Sequence, residues 1–125
     1  MEEQKKFIED ESLEALDTLK AIIVSINTGN DELFSYETEE LKNLCEASNI
    51  LVLDEIYQAL PAPLNATYVG KGKLSEIKQI ASALEVDLVV FNDELSPAQL
   101  KNIKKALGDD LEIFDRTMLI LDLFE

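Results

Sequence analysis

The segment Thr67-Tyr-Val-Gly-Lys-Gly-Lys73 combines residue types that bind phosphate. Gly70 and Gly72 can adopt unusual φ angles and let a ligand approach the main chain. Lys71 and Lys73 add positive charge, and a helix that begins here would add the positive end of its dipole. The spacing fits neither the Gly-x-x-x-x-Gly-Lys-Ser/Thr loop nor the Gly-x-Gly-x-x-Gly fingerprint. The segment predicts a phosphate contact, with a glycine turn and solvated lysines as the structural alternative.

A second polar segment is Phe91-Asn-Asp-Glu-Leu-Ser-Pro97. The oxygens of Asn92, Asp93 and Glu94 could bind a hard cation. Acidic residues before a helix also stabilise its amino-terminal end. The helix interpretation is favoured, so no metal site is predicted here, and the three residues stay candidates for ligand contact.

The third segment begins Asp115-Arg-Thr. Arg116 is predicted either to form a local ion pair with Asp115 or to contact a partner outside the chain. Tyr68, in the first segment, is predicted to pack in the interior, with stacking on a base as the alternative. No nucleophile stands beside a general base in any of the three segments, so no catalytic residue is predicted.

The composition of the chain excludes several classes of protein and several kinds of site. A length of 125 residues fits one domain, and the absence of histidine excludes a histidine base and a Cys/His zinc site. The single cysteine, Cys45, lies in a helical apolar pattern and is predicted to be a core residue. Short apolar runs and an acidic amino terminus exclude a membrane span and a signal peptide, so a cytoplasmic location is predicted.

The charge is distributed unevenly along the chain. Its net value is -15, with 15 acidic and 4 basic side chains in residues 1–60 and 11 acidic and 7 basic side chains in residues 61–125. Acidity opposes binding to nucleic acids, because phosphate contacts need lysine and arginine. Any such contact is therefore expected in the second half, and acidity in the first half is interpreted as serving solubility.

Turn residues and apolar periodicity divide the chain into alternating strands and helices. Strands are predicted at residues 21–26, 50–57, 86–92 and 111–115. Helices are predicted at residues 35–47, 74–84, 96–107 and from residue 117 onwards. Ser96 and Gln99 predict a capping box, Gly108 an αL stop, and Thr117 the cap of the last helix. We expect an α/β fold with a mainly parallel sheet of about four strands and helices on both faces, and all three segments at its carboxyl edge.

Three regions follow from this pattern. Residues 1–19 form a charged amino-terminal segment, in which a short helix capped by Ser12 is one interpretation. Residues 20–116 form the α/β domain, and residues 117–125 begin a truncated linker helix. Met118 and Phe124 bound an apolar stretch that lacks partners, so we interpret the end of the chain as an imposed boundary and expect self-association through this stretch.

The order and wording of the three segments resemble the amino-terminal domain of the HflX family of ribosome-associated GTPases. The likeness extends over about residues 20–124 and includes Gln99 beside the second segment. The resemblance implies a domain that precedes a helical linker and a GTPase domain, in a protein that binds the large ribosomal subunit through its RNA and protein. No phosphate-binding loop, Asp-x-x-Gly or Asn-Lys-x-Asp motif occurs here, so GTP and magnesium are expected only in that GTPase domain.

Three functions therefore agree with the sequence. The first is a non-catalytic module that binds the large ribosomal subunit, with residues 70–73 as the main contact, and positions the GTPase domain. The second is a regulatory domain that binds ATP or GTP at the same edge of the sheet. The third is a scaffold for the linker and GTPase domains alone.

Overall fold

A computed structural model describes residues 18–123 of the chain. Strands and helices alternate throughout this range. The strands are β1 (Leu19–Asn27), β2 (Ile50–Ala59), β3 (Leu88–Phe91) and β4 (Glu112–Asp115). The helices are α1 (Asp31–Ala47), α2 (Lys71–Leu84), α3 (Pro97–Leu107) and α4 (Arg116–Leu123).

The four strands form one parallel sheet in the order β2-β1-β3-β4. β1 lies in the interior of the sheet and is buried from Ala21 to Ile26, because strands of a parallel sheet are covered on both faces. The predicted α/β fold, with its parallel sheet and four strands, is confirmed.

Alternating side chains of β1 divide the core into two layers. Ile22 and Val24 pack with residues of α2 and α3, including Ile77 and Ile103. Ala21 and Ile23 pack on the opposite face with residues of α1 and α4. Helices therefore cover both faces of the sheet, as the strand–helix alternation predicts.

Several predicted boundaries differ from the structure, and two of them have clear local causes. α1 begins at Asp31 rather than at residue 35, because the side chain of Asn30 accepts a hydrogen bond from the Leu33 N–H and starts the helix earlier. β3 begins at Leu88 rather than at residue 86, because Glu85 adopts a left-handed conformation at the end of α2. Val86 then donates its N–H to the Ala81 carbonyl and completes the helix end.

Among the other predictions for helix ends, some are confirmed and others are wrong. The capping box of Ser96 and Gln99 is confirmed at the start of α3. Gly108 ends α3 with φ +92 and ψ 173, a conformation that glycine favours but that lies outside the predicted αL region. α2 begins at Lys71, three residues before the predicted start. The predicted short helix near Ser12 lies outside the described residues.

No helix within residues 18–123 is long and apolar enough to cross a membrane.

Candidate functional site

The three polar segments meet at the carboxyl edge of the sheet. The Gly70 N–H donates to the Gln58 side chain at the end of β2, over 2.9 Å. The Tyr68 hydroxyl donates to Asp93, which follows β3, and the Arg116 side chain after β4 reaches Asn92. These contacts join the segments across the ends of β2, β3 and β4.

Tyr68 is a structural residue of this edge. Its side chain is fully buried and packs edge-on against Phe91, with ring centroids 5.4 Å apart. Its backbone has a positive φ of 69°, a rare conformation for a bulky residue. Burial, and then the hydrogen bond to Asp93, raises the pKa of the Tyr68 phenol far above its usual range. Tyr68 packs in the interior, and its buried ring is not available to stack on a base.

Gly70 and Gly72 do not have the unusual backbone that the sequence suggests. Gly70 is the N-cap of α2 with φ -65, and Gly72 lies within the first turn of that helix. A Cβ on Gly70 would lie 3.3 Å from the Gln58 amide nitrogen, whereas a Cβ on Gly72 would meet nothing within 4 Å. Gly70 thus allows the close approach of Gln58, and Gly72 leaves the amino-terminal end of α2 open.

Lys71 and Lys73 point to different sides of α2. The Lys73 ammonium lies 2.8 Å from Glu76 and faces the side of the helix beside β2. Lys71 is exposed and lines a groove between α2 and α3. Residues two positions apart on a helix do not face the same way. The two lysines therefore do not converge on one phosphate.

The loop after β3 combines a buried amide with exposed acids. Asn92 is buried, and its amide donates to the Ser25 hydroxyl over 3.3 Å. The Leu95 N–H donates to a carboxylate oxygen of Asp115 over 2.9 Å. Asp93 and Glu94 lie on the surface between these two anchors.

All three nitrogens of the Arg116 guanidinium have hydrogen-bond or ion-pair partners. Its Nε and Nη2 donate to the Asn92 side-chain oxygen over 3.1 and 2.8 Å, and Nη2 also donates to the Glu37 carbonyl. Nη1 forms an ion pair with Glu40 of α1. The predicted local pair with Asp115 is wrong, because Asp115 turns to backbone donors and Arg116 reaches across to α1.

Asp115, rather than the predicted Thr117, caps the last helix. One of its carboxylate oxygens accepts from the Met118 N–H over 2.8 Å, which is the N-cap bond of α4. Its other oxygen holds the loop after β3. One buried carboxylate therefore fixes both the loop and the direction of α4.

The carboxyl edge is acidic around a cavity of about 340 Å³. Its charged lining consists of Glu37, Glu40, Asp93, Glu94 and Arg116. Four carboxylates against one guanidinium oppose the entry of phosphate. In the described part of the chain, no three side chains of the metal-binding types are grouped to hold an ion.

Cys45 lies on the buried face of α1, in the core. It is fully buried, and burial raises the pKa of its thiol to about 11, with a smaller contribution from Glu46. A protonated and inaccessible thiol does not act as a nucleophile. The predicted structural role of Cys45 is confirmed.

Sequence reasoning missed several residues that shape this site. Glu40 lies 76 positions from Arg116, so no local pattern relates the two. The sequence pattern predicts that β2 ends at residue 57, one position before Gln58, although the Gln58 side chain holds Gly70. The lysines of α3 form no motif; only their repeated occurrence at residues 101, 104 and 105 signals a charged helix face.

Residues 18–123 therefore form a parallel α/β domain whose three polar segments meet at one edge of the sheet. The chain belongs to the GTP-binding GTPase N-terminal family, whose sequence model matches residues 35–125. The predicted resemblance is thereby confirmed.

Curated relatives agree with this assignment. The GTPase HflX of Lacrimispora saccharolytica is 39% identical over 105 residues, which are 84% of this chain and 24% of that protein. The GTPase HflX of Escherichia coli is 31% identical over 105 residues, with 84% of this chain and 24% of that protein covered. The chain spans about a quarter of the length of these relatives.

Solved structures share the fold. A crystal structure of a GTP-binding protein from Sulfolobus solfataricus in complex with GDP has a TM-score of 0.62 at 23% identity, over 86% of this chain and 30% of that one. A crystal structure of the SsGBP and GDP complex has a TM-score of 0.65 at 22% identity, over 85% of this chain and 29% of that one.

Proposed function

We propose that this chain is the non-catalytic amino-terminal module of an HflX-like GTPase, and that it contributes to binding of the large ribosomal subunit. In this proposal the module also positions a GTPase domain that lies outside the chain, and the cytoplasm is its compartment. GTP and magnesium would bind in that GTPase domain. Family membership supports the proposal, together with relatives that are named GTPases.

The main support for the binding role is the distribution of charge. The helix charges have opposite signs on the two faces of the sheet. α1 has six acidic residues and one lysine, a net charge of -5. On the opposite face, α2 has three lysines and one glutamate and α3 has three lysines and no acid, a net charge of +5. A chain of net charge -15 thus presents a basic face, which favours an anionic partner such as ribosomal RNA.

The positioning role depends on α4. Leu119 is fully buried against α1 and the sheet, and the ion pair of Arg116 with Glu40 ties the start of α4 to α1. Buried packing and a charged anchor hold the helix in one direction. We propose that this direction is passed to the linker and GTPase domains.

Sedimentation with purified large ribosomal subunits tests the binding role. The chain should co-sediment with the subunits, and binding should weaken as salt rises. Lys71→Ala should make the log-log salt slope shallower by about one, because an unpaired lysine is removed. Lys73→Ala should change it less, because Lys73 already pairs with Glu76. Absence of co-sedimentation at low salt would disprove the ribosomal role.

Catalysis is not expected in this chain. None of its 125 residues forms a guanine-binding motif, and no base activates a nucleophile among the groups at the carboxyl edge. The chain should not turn over GTP above the buffer background. A rate that disappears on substitution of one residue of the chain would contradict this.

Nucleotide binding is the second candidate, and one observation favours it. The amides of the first turn of α2 have no side-chain cap, and Gly72 leaves open space beside them. Such an amino terminus can bind phosphate. Isothermal titration calorimetry with ATP and GTP distinguishes nucleotide binding from the ribosomal function. If nucleotide binds, Gly72→Ala should weaken that binding. If the chain binds neither subunits nor nucleotide, the scaffold function remains.

A further inference from the structure

The basic face consists of five lysines without an ion pair. Among residues 18–123, ion pairs engage Lys42, Lys73 and Arg116 but none of the lysines on the outer surfaces of α2 and α3 apart from Lys73. These unpaired and exposed residues are Lys71, Lys78, Lys101, Lys104 and Lys105. We call them the lysine face. Their ammonium groups are available to a partner, because no carboxylate within residues 18–123 lies at ion-pair distance from them.

A groove organises this surface. It has a volume of about 730 Å³ and lies between α2 and α3, with Lys71, Lys78 and Lys105 along it. Lys71 and Lys78 are seven positions apart, which is about two helical turns, so they lie on the same side of α2. Lys101 and Lys105 are four positions apart and share one side of α3. The ammonium groups therefore form two rows rather than a single point charge.

Hydrogen bonds from α3 hold the chain segment beside the groove in place. The Asn102 amide donates to the Ala66 carbonyl over 2.9 Å, and the Gln99 amide donates to the Leu64 carbonyl over 2.8 Å. These bonds hold the segment before α2 against α3. Together with the packing of α2 beside α3, they fix the positions of the two helices that carry the lysine rows.

The chemistry of the face selects among anionic partners. Neither α2 nor α3 contains an aromatic residue or an arginine. Single-stranded nucleic acid is usually bound by stacking on aromatic side chains, and guanine is usually read by arginine. The exposed aromatic residues Tyr36 and Tyr57 lie on α1 and β2, away from the lysine face. Lysines alone suit the sugar-phosphate backbone of a double helix, without reading its sequence.

From these observations we infer that the lysine face binds the phosphates of double-helical RNA independently of sequence. The inference rests on the proposed ribosomal function and deepens it. It moves the main contact from residues 70–73 and Arg116 to a surface that includes Lys78 and the lysines of α3. Arg116 is occupied by Glu40 and Asn92, so it contributes little to this surface.

The test compares the 125-residue chain with a variant in which Lys78, Lys101, Lys104 and Lys105 are all changed to Gln. Gln has nearly the helix propensity of Lys, so both helices should persist, which circular dichroism checks. The probes are a labelled RNA duplex of arbitrary sequence, a single strand of the same length, and purified large ribosomal subunits. The salt slope for the duplex should become shallower by about three to four in the variant. The single strand should bind the original chain more weakly than the duplex does.

A pair of single variants provides the matched control. Lys78→Gln and Lys20→Gln each remove one exposed lysine, but Lys20 is the second residue of β1 and lies outside the lysine face. The slope for the duplex should become shallower by about one for Lys78→Gln and stay unchanged for Lys20→Gln. Equal effects would mean that the overall charge matters rather than the surface, and would overturn the inference. Because single substitutions on exposed helix positions seldom affect folding, this comparison holds even if the fourfold variant unfolds.

The remaining outcomes separate the inference from the proposed function. Subunit binding that is unchanged in the fourfold variant would overturn the inference and leave the ribosomal role standing. Loss of subunit binding in the variant, with no duplex binding by the original chain, would mean that the lysines meet protein, and would also overturn it. Duplex binding that depends on the lysines, without subunit binding, would support the inference and disprove the ribosomal role. Tighter binding of the single strand than of the duplex would overturn the choice of a double helix.

Discussion

Arg116 and Tyr68 show how single side chains hold the carboxyl edge together. Both lie beside the exposed loop after β3, and both were candidates for contact with a ligand. Each instead uses its polar atoms inside the domain: Arg116 on Asn92 and Glu40, and Tyr68 on Asp93. Polar groups with internal partners stabilise the edge and leave little capacity for an external ligand.

Removal of Arg116 should destabilise the domain. Arg116→Ala leaves the Asn92 side-chain oxygen and the Glu37 carbonyl without their donor, which should lower the free energy of unfolding by about 1–3 kcal/mol. Arg116→Lys should recover only a small part, because an ammonium cannot reproduce the planar set of donors. Urea denaturation measures both, with Lys101→Ala as an exposed control. An Arg116→Lys variant as stable as the original chain would show that charge alone is sufficient.

Tyr68 should make stability depend on alkaline pH. Burial raises its pKa above the usual 10.0, so the unfolded chain loses this proton first as pH rises. Stability should therefore be constant with respect to this group below about pH 10 and fall above it, by up to about 1.4 kcal/mol per pH unit. Tyr68→Phe removes this dependence, at a constant cost of about 0.5–1.5 kcal/mol for the lost hydrogen bond. Urea denaturation from pH 8 to 11 compares the two slopes; equal slopes above pH 10 would contradict the prediction.

At the level of elements, the helix ends decide the geometry of the site. Asp115 caps α4 and also holds the loop after β3, whereas α2 begins without a side-chain cap. The Ser96–Gln99 capping box fixes the start of α3, and the Gln99 amide also binds the Leu64 carbonyl in the segment before α2. Within residues 18–123, α2 is the one helix at this edge that begins without a side-chain cap, so the amides of its first turn have no side-chain partner.

Two glycines next to helices should respond in opposite ways to alanine. Gly72→Ala should stabilise the domain by about 0.5–1 kcal/mol, because Gly72 has helical geometry and open space around it. Gly108→Ala should destabilise it by about 1–3 kcal/mol, because φ +92 strains any residue with a Cβ. Thermal denaturation of the two variants checks both signs. A destabilised Gly72→Ala variant would mean that the start of α2 is not helical in solution.

For the whole molecule, the asymmetry of charge and the exposed apolar side chains of α4 govern association. Met118 and Leu121 are 39% and 62% exposed, although Leu119 of the same helix is fully buried. A net charge of -15 keeps copies apart at low salt. Association of copies should therefore appear when salt screens that repulsion.

We predict concentration-dependent self-association through α4. Sedimentation velocity in high salt should show dimers of the original chain, and Leu121→Glu should restore the monomer. Leu51→Glu is the matched control, because Leu51 is also about half exposed but lies on β2. If the original chain stays monomeric at high concentration, the prediction is contradicted. Loss of the dimer with Leu51→Glu but not with Leu121→Glu would place the contact on β2.

The sequence by itself determined the order of the elements and the family of the chain. Alternating apolar runs predicted the strands, and the Ser96–Gln99 pair predicted the start of α3, because these signals act over a few neighbouring residues. The three polar segments were correctly assigned to one edge, because every strand-to-helix connection of a parallel sheet lies there.

The tertiary structure alone decided which polar groups remain available. Arg116 pairs with Glu40, which lies 76 positions away, and Lys71 and Lys73 diverge because α2 begins one residue before Gly72. The lysine face arises only when α2 and α3 pack side by side on one face of the sheet. Partners across the fold depend on packing between elements distant in sequence, and local sequence patterns do not encode that packing.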